Sequence, residues 1–216
     1  MRASIALLLA LALVAGCGGN GDDGTTEPVA TSSDECTSVE APAAREPAAG
    51  EAPSEELDSS KTYTLTVDTS CGAFTITLDT EQAPKTAASL VALANVGYFD
   101  DTIFHRVVPG FVIQGGDPTQ SGGGGPGYST VDAPASDAEY TQGVVAMAKT
   151  QVEAPGTSGS QFFVVTGADA GLPPDYAIVG EVTDGMDTVL RIDALGVGDG
   201  PPSQPVVVNT VTVGES

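Results

Sequence analysis

Two stretches alternate apolar and polar positions: Thr62–Asp68 (TYTLTVD) and Gly72–Asp79 (GAFTITLD). Period two puts every second side chain on one face, so the pattern predicts two half-buried strands joined by a short turn at TSC. The next stretch, APKTAASLVALANVGYF, changes period. Leu90, Val91, Leu93 and Ala94 share one helical face, Pro84 suits a first turn, and Gly97 suits a stop. Beyond it come short apolar runs separated by Gly and Pro: FHRVV, FVIQGG, GVVAMAK, SQFFVVTG and YAIVGEV. A second helical stretch, Gly185 to Leu195, and a last strand, Pro205–Val213, close the pattern. Many short strands with only two helices predict an all-β barrel or sandwich.

The first quarter of the chain reads differently. Ile5 to Ala15 is an unbroken apolar run of eleven residues behind a single Arg2. That length fits the core of an export signal and falls short of the ~20 residues that span a membrane. Val14-Ala15-Gly16-Cys17 resembles the lipobox of bacterial lipoproteins, which implies cleavage before Cys17 and lipidation of its sulfur; an ordinary secretory signal is the other reading. From Gly18 to Ser60 there is no aromatic residue, and eleven acids face one base, Arg45. Such a segment buries too little apolar surface to offset its ordering entropy. The expected organisation is a signal peptide at 1–16, an acidic disordered tether at 17–60 and a folded domain at 61–216. The expected location is the outer face of the cell membrane, held by lipid on Cys17. Outside the cytoplasm Cys36 and Cys71 either pair as a disulfide or stay as thiols, and spacing does not decide between them.

Charge narrows the function. Seven Lys+Arg stand against 29 Asp+Glu, a formal net charge of −22. That field repels phosphate backbones, so no nucleic-acid partner is expected. The run GGGGPG (Gly122–Gly127) lacks the Lys-Ser/Thr of a phosphate-binding loop and reads as a tight surface loop. The lone His105 and three scattered cysteines offer no metal-ligand spacing, and no cofactor is expected. His105 reads as a packed structural residue. Strand alternation places Phe104 and Arg106 on one face, with Arg106 and Gln114 set among Val108, Phe111 and Val112. An arginine there either pairs with a surface acid or serves a groove.

FHRVVPGFVIQGGDPTQSGGGGPGYS, followed by GVVAMAKT, GSQFFVVTG and YAIVGEVTDGMD, is similar in order and spacing to the cyclophilin family of peptidyl-prolyl cis-trans isomerases, from about Tyr63 to Val213. The resemblance implies a closed eight-stranded antiparallel β-barrel capped by two α-helices. It places the catalytic arginine of the family on Arg106 and its glutamine on Gln114. Phe111, Val112, Phe163 and Leu172 fall on positions that hold the proline ring; Val112 is smaller than the Met common there. Ala148 and Lys149 fall where the backbone meets the substrate chain, with Lys in place of a frequent Asn. Gln161 falls in the same groove, and Tyr176 stands where several members have His. No Trp is present, and Gly171 lies near the place where some members carry one, which implies weak cyclosporin binding.

Turnover of X–Pro bonds is what the resemblance implies; the export signal makes exported polypeptides the expected substrates, and a monomer is the default expectation. The competing reading is a membrane-tethered module that grips proline segments or chaperones chains without turnover. A purely structural envelope protein would leave the groove unused.

Overall fold

The structure, a computed structural model, describes residues 35–46 and 50–216. The expected signal peptide, Cys17 and the first part of the tether lie outside the described residues.

Alternation does what it should at the start of the domain. β1 (Tyr63–Thr69) and β2 (Gly72–Leu78) form an antiparallel hairpin. Leu65, Val67, Phe74 and Ile76 face inward and are almost wholly buried. Gly72 turns at φ +108°, a conformation open to glycine and costly to other residues. α1 (Pro84–Asn95) opens on its proline and buries Leu90, Val91, Leu93 and Ala94. There follow β3 (Thr102–Ile103), β4 (Arg106–Val108), β5 (Val112–Gly115), β6 (Thr130–Val131), β7 (Val144–Met147), β8 (Thr157–Ser158), β9 (Phe162–Val165) and β10 (Ile178–Asp184). α2 (Met186–Asp193) and β11 (Val207–Glu215) complete the order.

Nine strands make one sheet in the order β3-β11-β1-β2-β10-β7-β9-β5-β4, and β6 pairs with β8 apart from it. The sheet curls strongly, since its two edge strands, β3 and β4, are separated in the chain only by Phe104 and His105. It is nonetheless an open half-barrel and not the closed eight-stranded barrel expected. The donors that would close the ladder are spent elsewhere: Phe104 N–H donates to Val206 O at 3.1 Å and Val107 N–H to Gly200 O at 2.8 Å. The loop ahead of β11 therefore stands where a closing pair would be.

That break also overturns the alternation expected for FHRVV. Phe104 is 0 % exposed inside the main core, near the rings of Phe74 and Phe162. Arg106 stands on the opposite side with the groove. Two residues that leave the ladder lose its two-residue period, and the count restarts at β4. β9 is buried on both faces. Phe162 joins the main core, while Phe163 joins a second cluster with Val112, Tyr140, Ala146 and Val165.

The described part of the expected tether is not a free chain. Residues 35–46 and 50–60 have no regular structure, yet they are fixed to the domain. Cys36 and Cys71 form a disulfide, Thr37 N–H donates to Ser70 O, and Leu57 packs against the core. Composition alone predicts disorder here, but one covalent link and a few long-range contacts supply the ordering that an apolar core would otherwise provide.

Candidate active site

The register builds the site as a row across the sheet. Arg106 pairs opposite Gln114, Gln114 opposite Phe163, Phe163 opposite Ala146, and Ala146 opposite Ile178. Directly opposed residues share a face, so a cation, an amide and a phenyl ring stand side by side on the outer face of β4, β5 and β9. A cleft of about 250 Å³ opens above them, walled also by Phe111, Val112, Ala148, Lys149, Leu172 and Tyr176. The ring of Tyr176 meets that of Phe163 edge-on, with centroids 5.7 Å apart. Tyr140 holds Tyr176 from behind: its hydroxyl donates to Tyr176 O at 2.7 Å and accepts from Tyr176 N–H at 3.1 Å.

Arg106 is half-buried, its guanidinium carbon 5.9 Å from the centre of the Phe111 ring. It is both paired with an exposed acid and set in the lining of the cleft. Nε and Nη2 donate to Asp199 Oδ1 and Oδ2 at 2.5 and 3.0 Å. Nη1 donates to Gln114 Oε1 at 3.3 Å on the groove side. With its oxygen so occupied, Gln114 donates from Nε2 to Gln161 Oε1 at 3.1 Å, and Gln161 donates to Gly124 O at 2.9 Å. This chain fixes the orientation of both amides. The guanidinium holds the exposed Asp199 carboxyl below its usual range, chiefly through the hydrogen bond.

Lys149 does not project into solvent as a free charge. Its side chain is 2 % exposed, with Nζ 2.9 Å from Asp175 Oδ2 and 5.4 Å from the centre of the Tyr176 ring. It also donates to the carbonyls of Thr150 and Glu153. The Ala148 N–H is already given to Gln161 O at 2.9 Å, so that donor is not left for a bound chain.

A second cleft of about 300 Å³ adjoins the first and shares Gln114, Ala148 and Lys149 with it. Its far wall is the glycine-rich loop. The loop turns its N–H groups inward onto the buried Asp117 carboxylate, which accepts from Thr119, Gly122 and Gly124 at 2.8, 2.8 and 3.1 Å. A Cβ at Gly124 would overlap that carboxylate, which is why glycine stands there. Burial pushes the Asp117 pKa up, but these bonds together with the Thr119 hydroxyl outweigh it and hold it below the ordinary value. Donors committed to an internal anion do not cradle a phosphate.

His105 lines neither cleft. It is buried, and neither ring nitrogen has a hydrogen-bond partner. Burial, the largest cause, lowers its pKa against the opposing pull of Asp117. The unfolded chain therefore takes up a proton near 6.5 that the folded chain resists, and stability falls as pH drops below 6.5. The Asp117 contribution, by contrast, is lost only below about 3.8. Melting temperature followed against pH is expected to decline from 6.5 downward in the natural chain, and His105→Leu is expected to flatten that limb. Equal slopes in the two proteins would contradict the assignment. Among the described residues no group of three His, Cys, Asp or Glu is placed to hold a metal ion.

Asp199, Asp175, Asp117 and Tyr140 were missed by the reading of the sequence. Asp199 and Asp175 carry no local signal among 29 acids, Asp117 lies within the FHRVVPGFVIQGGD stretch but its role as a loop anchor leaves no mark on the pattern, and Tyr140 sits in no strand-like run. Cys17 lies outside the described residues.

An aromatic floor with two fixed cations, Arg106 and Lys149, on the outside of a curled antiparallel sheet with two helices marks the fold and groove of one class of protein. The chain belongs to the family described as cyclophilin type peptidyl-prolyl cis-trans isomerase/CLD, whose model matches residues 64–213. It is 36% identical over 170 residues to the probable peptidyl-prolyl cis-trans isomerase A of Mycobacterium leprae, covering 69% of this chain and 91% of that one. It is also 36% identical over 172 residues to peptidyl-prolyl cis-trans isomerase A of Mycobacterium tuberculosis, covering 70% and 92%. Among solved structures, a Cryptosporidium parvum cyclophilin type isomerase in the presence of the dipeptide Ala-Pro superposes with a TM-score of 0.64 at 30% identity, covering 70% of this chain and 98% of that one.

Proposed function

We propose that this chain is a peptidyl-prolyl cis-trans isomerase in which Arg106 and Gln114 act on the X–Pro bond while Phe111, Val112, Phe163, Leu172 and Tyr176 grip the proline. Rotation about a peptide bond must break amide resonance, a barrier of ~18–20 kcal/mol. Exchange at X–Pro takes tens to hundreds of seconds unaided. No covalent bond is made or broken, so no nucleophile or metal is required. As the bond twists, the proline nitrogen becomes pyramidal and gains a lone pair. A guanidinium donor waiting there stabilises the twisted state and not the planar one, which is the condition for catalysis. Gln114 and Gln161 steady the flanking carbonyls, and the substrate chain runs past Ala148 and Lys149 into the second cleft. The observation that carries this reading is the row Arg106–Gln114–Phe163 fixed by strand register.

The grip of Asp199 on two guanidinium donors favours one rival, a tied cation in a module that binds proline segments without turnover. Isomerisation rate and peptide affinity measured together on the full chain separate the two. Turnover well above the spontaneous rate supports the enzyme; tight binding with none supports the module.

The finer setting rests on the sequence. The Val14–Cys17 motif and the apolar run before it support an exported protein anchored by lipid on Cys17, acting on newly exported polypeptides for which proline isomerisation is a slow folding step. Among the described residues no helix is long and apolar enough to cross a membrane. Labelling cells with a radioactive fatty acid is expected to mark the natural chain at the membrane and not Cys17→Ala. Equal labelling of both would refute the anchor.

A further inference from the structure

The segment ahead of residue 61 touches the domain at chosen points. It lies before the stretch matched by the family, which begins at residue 64. Its first fixed point is the Cys36–Cys71 disulfide. The second is Arg45, whose Nη2 donates to Tyr98 O at 2.5 Å and Asp100 O at 2.9 Å, on the turn after α1. Further contacts fall on the glycine-rich loop and on the residues just before it. Arg45 N–H donates to Pro118 O at 3.0 Å, Gln120 Nε2 donates back to Pro42 O at 2.8 Å, and Gly50 N–H donates to Pro126 O at 3.0 Å. Gly50 also lies against the ring of Tyr128.

These contacts bracket the loop at both ends. Pro126 and Tyr128 are themselves walls of the second cleft. From within, the same loop is held by Asp117 and by Gln161, the latter leading through Gln114 to Arg106. The loop is therefore clasped between an internal carboxylate and an external chain. Its many glycines leave it little stiffness of its own, because glycine has the most backbone freedom to lose.

We infer that residues 36–46 and 50–57 form a strap that sets substrate selectivity, by fixing the glycine-rich wall of the cleft that receives the substrate residues beside the proline. The disulfide and Arg45 are its anchors. The inference rests on the isomerase reading, and its test keeps the two apart.

The test uses the full chain with Cys36→Ser, with Arg45→Met and with both. Arg45→Met keeps the aliphatic stem and the disulfide, so it carries the test if the cysteine variant folds poorly. Two quantities are measured: amide exchange across Gly122–Tyr128, and kcat/KM for proline peptides whose two residues before proline vary among Gly, Leu, Phe, Lys and Glu. Loop exchange is expected to rise about tenfold or more as the local opening becomes cheaper. The ratio of kcat/KM between large and Gly-bearing peptides is expected to shift about threefold or more, with the Gly-bearing peptide little affected. Unchanged exchange in the double variant, or faster exchange with unchanged ratios, overturns the strap. A natural chain that turns over none of the peptides defeats the isomerase reading instead.

Discussion

Arg106→Ala is expected to lower kcat by about a hundredfold to a thousandfold, the usual cost of removing one donor aimed at developing charge. KM should change little, because the planar ground state makes no use of that donor and the apolar grip on the ring remains. The fold should survive. The side chain is half-exposed, and its main partner, Asp199, is an exposed carboxylate that water can take over. A coupled isomerisation assay beside a thermal melt checks both halves of the expectation. Arg106→Lys should recover little of the loss. A single ammonium cannot hold Asp199 with two donors and Gln114 with a third, so the cation would be drawn to one partner or the other. Activity close to natural in Arg106→Ala would remove the guanidinium from the chemistry.

Phe163→Ala carries the second large effect, and it strikes stability and activity together. Phe163 is 4 % exposed, and it packs with Val112, Tyr140, Ala146 and Val165. Truncating a buried phenylalanine costs about 3–5 kcal/mol. In a domain of this size that corresponds to a fall in melting temperature of roughly 6–20 °C. Tyr176 then loses the ring it meets edge-on, so the floor and one wall of the cleft loosen at once. Unlike Arg106→Ala, this change should raise KM as well as lower kcat. Phe163→Leu fills most of the space and should restore most of the stability while leaving KM raised. Equilibrium unfolding in urea and a peptide titration measure the two effects separately. A stability loss with unaltered KM would mean that the ring supports the cleft without contacting the proline.

How far these features could be read in the sequence depends on what each residue's neighbours reveal. β1, β2, α1 and β11 are long enough to display a period, and the helix carries its proline at the start. β3, β6 and β8 have two residues each, and two residues display no period at all. Phe104 was assigned the wrong face because a break in a ladder leaves no mark on the hydrophobic pattern. The closed barrel was expected from family likeness; that the ladder stops at β3 and β4 depends on where the loop ahead of β11 sends its carbonyls. The motif singles out Arg106, Gln114, Phe111 and Phe163, and the structure sets all four around one cleft. It does not single out the partner of Arg106, for Asp199 sits in a glycine-rich loop 93 residues away in the chain. The strap illustrates the same limit from the other side. Its composition is that of an unfolded chain, and what orders it is a cysteine and an arginine whose partners are local to nothing.

The place of β11 has a consequence for biosynthesis. It lies between β3 and β1, pairing Glu215 with Tyr63 and Val207 with Ile103. During translation β1 must therefore wait for a neighbour made some 150 residues later. Until then the ribosome, or the export machinery if the chain crosses a membrane, handles a polypeptide with one sheet flank unmatched. Closing so long a loop is slow, so the pairing of β1 with β11 is a late contact in the folding of this chain.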